Sequence, residues 1–182
     1  ELKKISQDPD LGHLHIPNSN ATLQNVIVAI NSLGMRGPEP NLSDNAPKKV
    51  LLLGSSITLG WGVQEKDTIR NQLEQNLGGQ YQVLNGGIGN YNLARSVAQF
   101  RKSWRNSVKP DVVVVHYFVN DAEYLGSSAD NFIFRNSQLA VTLYHVVQGL
   151  AHGSGDMKSL TTHYQSVYAP NSRGFSEMES AL

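Results

Sequence analysis

The stretch that decides the fold is Lys49-Val50-Leu51-Leu52-Leu53-Gly54-Ser55-Ser56-Ile57-Thr58, a short apolar run that breaks into a Gly-Ser-Ser turn. Four consecutive apolar residues with no polar alternation read as a strand covered on both faces. Downstream, Asp67 to Leu77 carries Ile69, Leu73 and Leu77 at helical spacing, and Gly78-Gly79 stops it. A second strand, Tyr81 to Leu84, runs into the glycine-rich Asn85-Gly-Gly-Ile-Gly-Asn90. Asn92 to Asn106 reads as a second helix with Leu93, Val97, Phe100 and Trp104 on one side. Pro110 closes that connection, and Val112 to Val119 is a third strand ending in Asn120-Asp121. Strand, helix, strand, helix, strand is the pattern of parallel crossovers, so the fold class is α/β with a parallel sheet. The first and third strands are expected to flank a topological switch point, and ligands in such sheets sit beyond the carboxyl ends of the strands.

Outward from this core the texture is less regular. Residues 1–48 contain five prolines and read as an extended lead-in segment with one strand, Asn25 to Ile30; residues 49–182 read as the α/β domain. His13 and His15 share one strand face, read here as an exposed N-terminal strand and not a metal pair, because no further ligand is in view. Leu139 to Leu150 reads as an apolar helix, Tyr164 to Tyr168 as a short aromatic stretch, and Ser176 to Leu182 as the start of another helix.

Composition bounds the function. The 182 residues carry 15 basic and 15 acidic side chains, a net charge of zero that argues against a nucleic-acid partner. Forty per cent hydrophobic with 16% charged is not a disordered composition. With no cysteine there is no disulfide framework, thiolate metal site or cysteine nucleophile. No apolar run approaches the ~20 residues of a transmembrane helix. Glu1 is not an initiator methionine, so a leader removed from the chain would leave no trace.

Chemistry is expected at the three strand ends. Ser56 on a tight strand-to-helix turn can expose its hydroxyl, although the Gly-x-Ser-x-Gly elbow is absent. The Asn85–Asn92 loop can turn a backbone N–H toward an anion; neither Gly-x-Gly-x-x-Gly nor a phosphate loop is present, and no cofactor is implied. Asn120 offers a side-chain amide to an oxyanion, and Asp121 reads as a turn cap.

Taken in order, Gly54-Ser55-Ser56 with Leu59-Gly60-Trp61-Gly62-Val63, then Val83-Leu84-Asn85 through Asn90-Tyr91-Asn92, then Phe118-Val119-Asn120-Asp121 resemble the blocks of the SGNH (GDSL-like) hydrolases over about residues 25–125. Ile30 to Glu39 is similar to a lead-in of bacterial members. The resemblance implies a three-layer, flavodoxin-like sheet and a serine-dependent ester hydrolase. Ser56 would be its nucleophile, with the Ser56 amide, the Asn90 amide (Gly89 as fallback) and the Asn120 side chain as oxyanion donors. It implies a small-molecule or glycan ester substrate. The sequence does not fix the compartment; the expectation, apart from the resemblance, is a location outside the cytoplasm, whether periplasmic, secreted or anchored. Three departures stand out. Ser55 replaces the family's aspartate, Phe118 replaces a glycine, and no Asp-x-x-His supplies the general base. His116, counted along an eight-residue strand at ~3.3 Å per residue, falls too deep to serve; His145, His152 and His163 are off the site. The expectation is therefore an incomplete domain, with two further strands and the base beyond Leu182, or self-association covering the third strand. The alternative is a degenerate, non-catalytic SGNH-like binding or assembly module; a nucleotide-binding, flavodoxin-like domain has only the fold in its favour.

Overall fold

The computed structural model describes residues 2–125 and 157–182. Its centre is a three-stranded parallel sheet: β5 (Lys48–Gly54) lies between β6 (Tyr81–Gly87) and β7 (Val112–Val115). The chain leaves β5 for one neighbour and later returns to the other, so the order reverses between β5 and β7, as expected of the first and third strands.

Helices cover both faces. On one, Val50, Leu52 and Val83 pack against Leu73 of α2 (Ile69–Asn76) and Leu77, which caps its end. On the other, Leu51, Leu53 and Leu84 pack with Met35, Trp104 and Val108. Trp104 ends a π turn, Phe100–Trp104, between α3 (Leu93–Gln99) and the short α4 (Arg105–Ser107). Leu93 and Val97 instead meet Met178 of α6 (Arg173–Ala181). Ile69, expected on the buried stripe of α2, is 43% exposed. Arg70 turns inward in its place, held by Glu65 and Glu74. The Tyr164–Tyr168 stretch lies largely in a helix, α5 (Met157–Val167). The final helix starts three residues earlier than expected, because Ser172 caps it by accepting from the Phe175 N–H. The expected helix Leu139–Leu150 lies outside the described residues.

The third strand is shorter than expected. It ends at Val115, where the last ladder bond runs from the His116 N–H to the Leu53 carbonyl, because its partner β5 ends at Gly54. Val112, Val113 and Val115 are 45%, 37% and 36% exposed, and among the described residues β7 pairs with β5 alone.

The lead-in is more ordered than expected. It forms two antiparallel hairpins, β1 (Lys3–Ile5) with β2 (His13–His15) and β3 (Ser19–Leu23) with β4 (Val26–Ile30). Gln24 and Asn25 join β3 and β4 with φ of 53° and 61°, the two-residue turn whose twist matches a hairpin. His15 is buried, not exposed, and His13 is half-buried. His13 is covered because the β1–β2 hairpin packs onto the loop after β6, and His15 because it packs onto the turn at Gly34.

Candidate active site

The parallel register sets the three candidate blocks at one end of the sheet. Gly54 pairs with Gly87, and Leu53 with Val115, so the chain leaves all three strands at nearly the same level. Ser56 opens α1 (Ser56–Leu59), one turn beyond the central strand. Asn90 lies three residues past β6 and Asn120 five past β7.

Close packing explains the glycines at the strand ends. A Cβ on Gly54 would collide with Thr58 Oγ1, and one on Gly87 with the backbone of Thr58 and Leu59. Helix α1 thus lies flush on the ends of β5 and β6, which only glycine permits. Arg36, fully buried, holds the far end of that turn. Its guanidinium donates to the carbonyls of Leu59, Gly60 and Val63 and pairs with Glu65 at 3.0 Å. Asn85 adds a bond from Nδ2 to the Leu59 carbonyl.

The three loops are bonded to one another in pairs. The Ile88 N–H donates to the Gly54 carbonyl at 3.0 Å. Thr58 Oγ1 and His116 Nδ1 are 3.1 Å apart. Asn92 Nδ2 donates to the Glu123 carbonyl at 2.8 Å. Asp121 acts as the cap expected of it. Its buried carboxylate accepts from the Phe118 N–H, and burial pushes that carboxyl above the usual range against the effect of this bond. The Tyr168 hydroxyl donates to the Val119 carbonyl from beyond α5, and Gly174 brings α6 onto the Ala122 carbonyl.

The groups proposed as donors are not consumed by this scaffold. In α1 the first intrahelical bond runs from the Leu59 N–H to the Ser55 carbonyl, so the Ser56 N–H lies in the open first turn. Among the described residues, the Asn90 N–H and the Asn120 side-chain amide have no hydrogen-bond partner, and Asn120 Oδ1 is buried. Asn90 is exposed at φ 66°, a conformation asparagine tolerates. Ser56 is half-buried. Ser55, standing where the family has aspartate, is buried and makes no side-chain cap bond.

His116 corrects the sequence reading. It lies at the carboxyl end of β7 level with Gly54, not deep in a strand, because β7 stops at Val115. Its ring reaches Thr58, two residues from Ser56, and burial lowers its pKa. The signal was in the sequence: the apolar run Val50–Leu53 breaks at Gly54, so a parallel neighbour running on to Val119 had no partner for its second half. No histidine among the described residues hydrogen-bonds the Ser56 hydroxyl; His163 faces Glu123, and His145 and His152 lie outside the described residues. A concavity of about 380 Å³ lies between α3 and α6 with Asn92, Arg95, Tyr124 and Glu177 in its wall, and Ser56, Asn90 and Asn120 do not line it. No group of metal-ligating side chains occurs among the described residues, and no helix there is long and apolar enough to cross a membrane.

No protein-family model matches the sequence, and no curated protein does. Similar solved structures include an SGNH-hydrolase family esterase, AlinE4, and a single-site mutant of the same esterase, with TM-scores of 0.39 and 0.38. Each is 21% identical to this chain, and the overlap covers 44% of either chain, less than half the length of the esterase. At that overlap the likeness carries no weight for chemistry.

Proposed function

We propose that the chain carries the nucleophile and oxyanion site of a serine-dependent ester hydrolase of the SGNH type. The observation that carries the reading is the pairwise bonding of three strand-end loops on which the Ser56 N–H, the Asn90 N–H and the Asn120 side-chain NH2 have no acceptor among the described residues. Ser56 Oγ attacks the carbonyl carbon of an ester while its proton passes to a general base outside the described residues. The carbonyl oxygen becomes an oxyanion that accepts from the Ser56 and Asn90 N–H groups and from Asn120 Nδ2. Collapse breaks the ester C–O bond, and the departing alkoxide takes the proton back from the base. Water, deprotonated by the same base, then attacks the acyl-Ser56 carbonyl and releases the acid. The substrate class is a small-molecule or glycan ester.

The test is p-nitrophenyl acetate turnover by full-length protein. Ser56→Ala should abolish turnover, and Asn120→Ala should lower kcat by about 10²–10³. Turnover indifferent to Ser56→Ala rules the reading out.

A further inference from the structure

The Gly89 carbonyl is held from two sides by the N-terminal hairpin. Lys3 Nζ donates to it at 2.7 Å and His13 Nε2 at 2.9 Å. His13 is itself fixed at both ends. Its carbonyl accepts from the Tyr91 hydroxyl at 2.5 Å, and its ring meets the edge of the buried Tyr91 ring at a centroid distance of 5.1 Å. Burial lowers the pKa of His13 to about 4, so the ring is neutral and Nε2 carries the proton that it donates.

Gly89 O and the Asn90 N–H belong to one peptide group. No cis bond occurs among the described residues, and across a trans peptide the C=O and N–H point in opposite directions. With the oxygen pinned toward the hairpin, the Asn90 N–H faces away from it, and no group among the described residues accepts its proton. Ile88, one residue before Gly89, is tied to the end of β5 through the Gly54 carbonyl, so the loop is anchored on the nucleophile's side as well. A peptide whose oxygen accepts two donors is also polarised, which strengthens its N–H as a donor.

We infer that Lys3 and His13 are positioning residues that fix the orientation of the Gly89–Asn90 peptide and thereby present the Asn90 N–H to the substrate oxygen. The left-handed φ of Asn90 is tolerated and not favoured, and glycine at 89 adds no side-chain preference, so both orientations of that peptide are accessible. The hairpin decides between them. The inference rests on the reading of Ser56 and Asn90 given above, and the experiment separates the two.

In isotope-labelled full-length protein, the amide-to-α-proton coupling and amide shift of Asn90 report its φ, and p-nitrophenyl acetate kinetics report the oxyanion site. In Lys3→Met with His13→Phe, which keeps the packing and removes both donors, Asn90 should change φ. Its kcat should fall about tenfold or more with KM unchanged. His13→Gln, which restores a donor, should recover both signals in part. Lys3→Met alone, which leaves the ring packing intact, is the milder variant if the pair does not fold, and should move both readouts in the same direction. An unchanged Asn90 signal in folded variants overturns the inference, as does a changed signal with unchanged kcat. If wild-type Ser56 proves unreactive, the proposed function fails while the Asn90 signal still decides whether the hairpin holds the peptide.

Discussion

Thr58 Oγ1 and His116 Nδ1 lie 3.1 Å apart and join the turn that carries Ser56 to the end of the third strand. Both residues sit at the switch point between β5 and β7, where a ligand-binding crevice is expected in such sheets. Thr58 is buried and a Cβ on Gly54 would touch it, so the contact is part of the packing of α1. Thr58→Val keeps the shape and removes the bond. It should lower stability by about 1 kcal/mol and reduce Ser56 reactivity several-fold, with His116→Phe, which also removes the bond, matching its effect. Chemical denaturation and probe-labelling rates measure the two. Reactivity unchanged in both variants would show that this bond does not position Ser56.

Arg36 is the keystone of the same turn. Removing its guanidinium takes one donor from each of three carbonyls and from Glu65; the Leu59 carbonyl keeps Asn85, the Gly60 carbonyl keeps the Val63 N–H, and Glu65 keeps Arg70. Arg36→Met should cost roughly 1–3 kcal/mol, the scale for buried polar groups that lose a partner, because Glu65 is partly exposed and keeps Arg70. Arg36→Lys should recover only part of this, because one ammonium cannot reproduce the planar fork. Urea midpoints decide it, and a loss below about 1 kcal/mol would mean that the turn holds without the arginine.

His15 predicts an acid-side loss of stability. Its Nδ1 donates to the Gly34 carbonyl at 3.0 Å, and its Nε2 is buried without a partner. Burial, partly opposed by the Gly34 bond, lowers its pKa to about 4. Unfolded histidine titrates near ~6.5. Below that pH the unfolded chain takes up a proton that the folded one refuses. Stability is therefore full above about pH 6.5, falls toward pH 4 and levels off below it. The contribution of His15 is at most about 3 kcal/mol, and His13 acts in the same direction. Denaturation midpoints should fall between pH 7 and pH 4, and His15→Phe should flatten the slope. An identical slope in that variant would contradict the assignment.

Among the described residues β7 has a strand on one side only, and this predicts association. Unpaired edges carrying apolar side chains recruit further strands, and Val112, Val113 and Val115 are all exposed. A chain of these 182 residues should run larger than a monomer in light scattering at high micromolar concentration, and Val113→Lys should shift it toward monomer. A monomer under both conditions would contradict the expectation.

The parallel sheet was legible because Val50–Leu53, Tyr81–Leu84 and the Val112 run are apolar stretches separated by helical spacing and glycine stops. Asp121 as a cap was legible from its place after a strand. The hairpins of the first 30 residues were not, since Ser19–Leu23 is too polar to read as a strand and Gln24-Asn25 lacks the usual glycine at the turn. The burial of His13 and His15 depends on Gly89 and Gly34, partners distant in sequence. Arg36 is the clearest omission from the candidate residues. It stood inside a quoted motif, but its role lies in carbonyls 23 to 27 residues away, which no local pattern reveals.

The most direct test of the central claim is labelling of full-length protein with a fluorophosphonate, followed by peptide mass mapping. The account predicts a single adduct on Ser56, with loss of esterase turnover in proportion to labelling and no labelling of Ser56→Ala. Turnover that persists in fully active protein with no adduct on Ser56 would contradict it.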